Sequence, residues 1–317
     1  RDPRIAAIRG RLAAEGFTSP ALVDAELFDR GLEDALKRFQ LRHSLVAEGE
    51  LNRATLQALQ VPLKRRVEQL KEVLKHFREQ TYYRIPTRVH VNIAGFSLRL
   101  YQAGRMVRRH RVIVGKIRRD SAGRIVRGGR IDQTPVLISQ INALVLNPAW
   151  RVPQRIKEQE LDVIAARRPS VYDDYRVYTD RNGVERVMQP PGPASALGRV
   201  KFAFPYGNGV FLHDTPDKDL FGRKERALSH GCVRVQDAWG LAQRILDADP
   251  SVLSSVRAQQ ILRTYYETPV RLGRPVPLFI DYVTAGVDAD GSFRFFPDIY
   301  ALGDVVAARH PPGVKRP

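Results

Sequence analysis

The chain holds one cysteine, Cys232, and two methionines in 317 residues. A single thiol cannot close an internal disulfide, so nothing covalent staples this fold. It also excludes the paired-cysteine spacings of zinc-finger sites. No run of about 18 apolar residues occurs, which excludes a membrane-spanning helix in this chain. The opening Arg1-Asp2-Pro3-Arg4 lacks the charged-then-apolar pattern of a signal peptide. No internal repeat and no low-complexity tract interrupts the sequence. Acidic residues are scarce against basic ones, 34 against 52, for a net charge of +18. Such a field favours anionic partners. Among those, nucleic acid lacks support, because no zinc finger, no RNA-binding aromatic signature and no continuous basic helix is found. A carboxylate-rich polymer fits the charge better.

The length suits about two domains. Residues 1–63 read as a small three-helix module. Ile5, Ile8 and Leu12 recur at helical spacing with Gly16 to close the helix, Leu32, Leu36 and Phe39 form a second stripe, and Asn52 caps a third helix carrying Leu56 and Leu59. Residues 64–83 read as a linking amphipathic helix with Val67, Leu70, Val73, Leu74 and Phe77 inward. From Arg88 the period changes to two. The runs RVHVNI, FSLRLY, RHRVIVG and PVLISQINALVLN predict strands, as do RVKFAF and GVFLH later. Between the third and fourth lies Lys116–Arg130, arginine-rich with three glycines, which reads as an insertion: a solvated loop, or a basic flap over a groove. Residues 155–166 and 237–246 predict helices, the latter with Trp239, Leu241 and Ile245 inward. Residues 276–300 predict a hairpin turning at Asp288–Gly291. The tail from residue 307 is expected to be disordered.

The chemistry concentrates in Phe211–Val235, FLHDTPDKDLFGRKERALSHGCVRV. A thiol becomes a strong nucleophile when a base takes its proton, and two imidazoles, His213 and His230, lie close by. Residue chemistry alone does not say which is the base. Gly231 allows a sharp turn, so that the backbone N–H groups of Gly231 and Cys232 can face a developing oxyanion. Arg234, two positions after Cys232 on a predicted strand, shares its face and can grip a carboxylate. A zinc site built from His213, His230 and Asp214 lacks the usual helical ligand spacing.

The run Ser229-His230-Gly231-Cys232, with His213 lying 16 positions before Ser229, resembles the signature of L,D-transpeptidases. The blocks Asn147–Pro153 (NPAWRVP), Leu197–Phe202 (LGRVKF) and Leu212–Pro216 (LHDTP) resemble the larger periplasmic branch, over roughly Arg88 to Tyr282. ALKRFQLRHSLVAEGELNRATLQAL resembles three-helix peptidoglycan-binding modules, with Glu48-Gly49 where those usually carry Asp-Gly. The resemblance implies an α+β chain. Its mostly antiparallel, β-sandwich-like catalytic domain would span residues 84–306, with a capping region at 149–195 over the groove. It implies Cys232 as nucleophile, His213 as general base, the Asp214 backbone carbonyl holding that imidazole, and His230 orienting. Strand alternation argues against the Asp214 carboxylate in that role. Arg234, Trp150, Phe211, Tyr206 and Ser229 become substrate-binding candidates. The implied reaction transfers an acyl group from a tetrapeptide stem of peptidoglycan, releasing D-Ala, to an amine of a neighbouring stem. Alternatives are a hydrolytic L,D-carboxypeptidase or a wall-binding protein with an inactive transferase domain. Carbapenem-type inhibitors are expected to bind, no metal or cofactor is expected, and the expected place is the periplasm or cell envelope after export. Oligomeric state stays open.

Overall fold

The computed structural model describes residues 1–18, 24–126, 132–205, 209–287 and 291–309. It divides into two compact units, Arg1–Tyr83 with Tyr282–Ala307, and Arg84–Asp281 with the chain from Ala308 onward. The first unit therefore takes in residues 282–307, which the sequence reading had placed in the catalytic domain. The expected tail beyond Arg309 lies outside the described residues.

In the first unit, α1 (Pro3–Ala14), α2 (Arg30–Arg42) and α3 (Arg53–Gln60) each begin at a side-chain cap. Asp2, Asp29 and Asn52 accept backbone N–H groups at 2.8–2.9 Å, satisfying donors that a helix start leaves orphaned. Leu12, Leu32, Leu36 and Phe39 meet in one fully buried core. Leu56, expected inward on α3, is exposed, and Thr55 is buried in its place. α4 (Leu63–Glu79) turns a different face inward from the apolar one. Of the expected stripe only Val73 is fully buried; Val67 and Leu74 stand about half exposed, at 50% and 52%. The buried row is Gln69, Val73 and His76. Gln69 Nε2 donates to the Thr284 carbonyl (3.1 Å) and to its hydroxyl (2.8 Å), and His76 Nε2 meets the hydroxyls of Tyr83 and Tyr82 at 3.0 and 3.2 Å. Hydrogen bonds make those two polar residues cheap to bury, and apolar periodicity cannot register that.

The second unit is built on β1 (Arg88–Asn92), β2 (Ser97–Gln102), β3 (Arg105–Gly115), β4 (Leu137–Leu146), β5 (Trp150–Arg151), β6 (Arg176–Thr179), β7 (Glu185–Gln189), β8 (Val200–Ala203), β9 (Leu212–His213), β10 (Ala227–Ser229), β11 (Val233–Val235) and β12 (Thr268–Val283). The main sheet runs β1-β2-β3-β11-β9-β8-β4-β12, and β12 pairs in turn with β1, so the circuit of strands returns to its start. Most pairings are antiparallel; β1–β12, β9–β11 and β3–β10 are parallel. This is a mixed α+β chain with a β-rich second unit, as the resemblance implied. The residues Leu98, Val112, Leu144, Phe202, Leu212, Val233, Val235 and Ile280 are fully buried. Helices Ala238–Asp247 and Ser255–Leu262 follow β11, with Leu241 and Ile245 buried and Trp239 half-buried.

The predicted hairpin over 276–300 is redistributed. Its first arm is β12, held between β1 and β4. The hairpin itself is β13 (Ala285–Val287) with β14 (Phe293–Phe295), in the first unit, where β15 (Val305–Val306) pairs with Tyr282 and Val283. Residues 288–290 of its turn lie outside the described residues. Pro269, Pro275 and Pro277 disguise β12 as a poor strand, and its ladder with β4 shifts register between Arg271 and Val276. Residues 150–189 form a separate small sheet, β5-β7-β6, with a helical segment over 154–165 that widens to a π turn at Lys157–Leu161. Val152, Ile156, Leu161 and Val187 are its core.

Candidate active site

Register places the reactive side chains. Arg234 on β11 lies opposite His213 on β9, and His213 lies opposite Lys201 on β8. The flanking row, Val233, Leu212 and Phe202, is fully buried. Successive strand residues face opposite ways, so Lys201, His213 and Arg234 share the face away from that core. Cys232, two residues before Arg234, stands on the same face, beside Phe211. Phe211 crosses edge-on to the His213 ring at 5.5 Å between centroids, and Lys201 Nζ sits 4.0 Å from the Phe211 centroid. Of the sequence candidates, Cys232, His213, Phe211 and Arg234 thus share one face.

His213 is buried, and its Nδ1 donates to the Asp214 carbonyl at 2.5 Å. That bond fixes the tautomer and leaves Nε2 as the basic nitrogen. The Asp214 carboxylate is occupied elsewhere: it accepts from Arg199 N at 2.9 Å and pairs with Lys218. Burial, reinforced by the Arg234 and Lys201 charges, holds the His213 imidazole down to about 3. Burial pushes the Cys232 thiol up to about 11, against the Phe211 backbone N–H and the charges of Lys201 and Arg234, all of which favour the thiolate. The pair at rest is a neutral thiol beside a neutral imidazole, and the thiol donates to the Gly209 carbonyl at 3.7 Å. Arg234 donates to Asp217 Oδ2 at 3.2 Å.

The turn before the sulfur is closed from within. Gly231 has φ +110°, a conformation that favours glycine. Ser229 Oγ donates to the Cys232 carbonyl (2.5 Å) and accepts from Gly231 N (3.2 Å). Two expectations change here. The Gly231 amide, expected to face the oxyanion, is engaged by Ser229. Ser229, expected to bind substrate, is 2% exposed and spends its hydroxyl on the turn. Thr134, which sequence reasoning missed, donates to the Gly231 carbonyl and accepts from Gly115 N, both at 2.9 Å. A Cβ on Gly115 would lie 1.9 Å from the Asp132 carbonyl, so only glycine admits the segment Asp132–Thr134 so close.

His230 turns away from the sulfur. Its Nε2 meets Glu160 Oε1 at 2.5 Å and Lys116 Nζ at 2.8 Å. Lys116 opens the basic insertion, and residues 127–130 of it lie outside the described residues. Glu160 sits in the π turn, a contact no sequence pattern announced. Trp150, expected as a groove wall, packs against the small core of the β5-β7-β6 sheet, 6.5 Å from the Tyr175 ring. Tyr206 lies outside the described residues. Lys201 was within reach of sequence reasoning: alternation in RVKFAF sets it opposite the buried Phe202. Among the described residues no group of three or more His, Cys, Asp or Glu is placed to hold a metal ion.

Comparison with known proteins follows this geometry. The profile of the YkuD family, L,D-transpeptidase catalytic domain, matches residues 86–276, and that named "Putative peptidoglycan binding domain" matches residues 1–59. The chain belongs to the L,D-transpeptidase family and carries an N-terminal peptidoglycan-binding domain. It is 32% identical over 230 residues to a Haemophilus influenzae protein named "Putative L,D-transpeptidase", a match covering 67% of this chain and 44% of that one. The chain therefore spans less than half the length of that relative. Among solved structures it is similar to an L,D-transpeptidase from Mycobacterium smegmatis, at 14% identity and TM-score 0.30, covering 62% of this chain and 58% of that one. The catalytic domain of the E. faecium L,D-transpeptidase is similar at 13% identity and TM-score 0.24, covering 61% and 95%. Among the described residues no helix is long and apolar enough to cross a membrane.

Proposed function

We propose that the chain is a cysteine acyltransferase of the bacterial cell wall. The observation that carries this reading is the shared face of Cys232, His213 and Arg234, with His213 Nδ1 tied to the Asp214 carbonyl. Substrate enters with the carbonyl between the third and fourth residues of a tetrapeptide stem against the sulfur. The thiol swings from Gly209 O to His213 Nε2 and gives up its proton as sulfur attacks. The tetrahedral oxyanion takes the Cys232 N–H, the Gly231 amide being engaged by Ser229 Oγ. Collapse breaks the peptide bond, His213 returns the proton to the leaving D-Ala amine, and a thioester remains. A neutral amine from a neighbouring stem then attacks, His213 takes its proton, and the thiol leaves.

The resting neutral pair has a consequence. Proton transfer from a raised thiol to a depressed imidazole is steeply uphill, so transfer and attack occur together. Arg234 holds a stem carboxylate, exchanging its exposed Asp217 partner for the substrate. Phe211 offers an apolar wall beside the sulfur. Residues 149–195 cap the groove, fastened by Glu160 to His230 and by the 2.5 Å pair of Arg155 with Asp132. Such a protein works outside the cytoplasm, on peptidoglycan, and carbapenems acylate the same sulfur.

Product analysis on a purified disaccharide-tetrapeptide tests this. Wild type should release D-Ala and form a cross-linked dimer, and Cys232→Ala should do neither. Tripeptide without dimer would make the protein a carboxypeptidase, and no D-Ala from the wild type would make the domain a wall-binding one.

A further inference from the structure

Lys201 has no assigned part in the reaction, yet its position is the least expected on the site's face. A lysine normally carries its ammonium into water. This one is half-buried on the central row of the site, directly across β9 from Arg234, with Nζ held 4.0 Å from the centroid of the Phe211 ring. Phe211 lies beside Cys232, its carbonyl accepting from Val233 N at 3.1 Å, and its backbone N–H favours the thiolate. The ring thus parks a cation one side chain from the thiol. Burial costs the ammonium, and it is drawn down from its ordinary value. Among the described residues no carboxylate is hydrogen-bonded to it; the ring face is in contact with it, and the sulfur and the Glu267 carboxylate lie within electrostatic reach.

We propose that Lys201 activates the cysteine: its ammonium, held on Phe211, stabilises the Cys232 thiolate as His213 removes the proton. The balance is simple. The S–H bond breaks, the proton passes to His213 Nε2, and the negative charge left on sulfur lies within the field of Lys201. The inference rests on the acyltransferase reading for its purpose, though not for its test. The groups around the sulfur are Lys201 from β8, His213 from β9, the Phe211 amide and the Gly209 carbonyl from the segment before β9, and Arg234 from β11; Asp217 meets Arg234, while Arg151 and Glu267 lie within electrostatic reach of Lys201. Lys201 and Arg234 both disfavour a charged His213, so the arrangement favours the thiolate rather than a long-lived thiolate–imidazolium pair.

Because Cys232 is the chain's only cysteine, alkylation by iodoacetamide reports on it alone. The rate of mass gain, followed from pH 7 to pH 10 on the full chain, rises with the thiolate fraction, and the displacement of that rising limb along the pH axis between variants gives the shift of the thiol's midpoint. Lys201→Met should move that midpoint up by about one unit, as expected for losing one charge within electrostatic reach in a partly buried site, and Lys201→Arg should keep most of the wild-type value. Lys201→Gln serves as a second neutral variant should the methionine variant fail to fold, which its thermal melt would reveal. An equal midpoint in wild type and a folded neutral variant would overturn the role of Lys201 and leave Cys232 as the nucleophile. A Lys201-dependent midpoint in a protein that turns over no stem peptide would sustain the electrostatic claim and overturn the acyltransferase reading.

Discussion

At the residue scale the site is governed by one imidazole kept neutral. His213 is folded away with its pKa depressed, whereas in the unfolded chain it titrates near 6.5. Below that value the unfolded chain takes up a proton that the folded one refuses, so the contribution is lost as pH falls from 6.5 toward 3. The slope is about 1.4 kcal/mol per pH unit. His213→Gln should therefore lose about 2 kcal/mol less stability than wild type between pH 6.5 and pH 5, read from urea midpoints. Equal losses would mean that the imidazole is not buried neutral. The sulfur and two imidazoles were legible as neighbours in sequence, but His230 turns to Glu160 and Lys116 instead of the sulfur. Which imidazole to propose as base was not legible from residue chemistry, because the feature that favours His213 is a bond to a backbone carbonyl, Asp214 O, that any residue could supply. Ser229 misled for a related reason: a hydroxyl in a motif reads as a substrate contact until its turn is seen to consume it.

At the element scale, two short strands do the positioning. β9 and β11 are only two and three residues long, yet their parallel register sets His213 against Arg234. Alternation in VRV foretold the shared face of Cys232 and Arg234. It could not foretell which strand would lie alongside, since parallel partners are chosen by long-range topology. The helical segment over 154–165 reaches the same loop through Glu160. π turns commonly mark working sites, and here the widened turn carries the carboxylate that meets His230 and Lys116. Glu160→Gln should loosen that segment: amide hydrogen exchange across residues 154–165 should quicken while the helix Ala238–Asp247 stays as protected as before. Unchanged exchange over 154–165 would show that the segment is held by its own core and not by this contact. The α4 helix shows the opposite limit, since hydrogen bonds bury Gln69 and His76 where periodicity pointed to Val67 and Leu74.

At the scale of the whole molecule, the sequence reading captured the α+β class and the helical module with its Asn52 cap, but not the Asp2 and Asp29 caps. It drew the later boundary elsewhere, because the switch at Tyr282 falls inside one continuous strand, β12, with no loop, glycine or proline to mark it. The net charge of +18 suits a protein working on a carboxylate-rich polymer. The central claim nevertheless concerns one atom, the sulfur of Cys232, and intact-protein mass spectrometry addresses it most directly. Mixed with a disaccharide-tetrapeptide, the wild type should show a transient adduct with the mass of the donor less D-Ala, and Cys232→Ala should show none. An adduct of the same mass on Cys232→Ala, or stem turnover by that variant, would contradict the account.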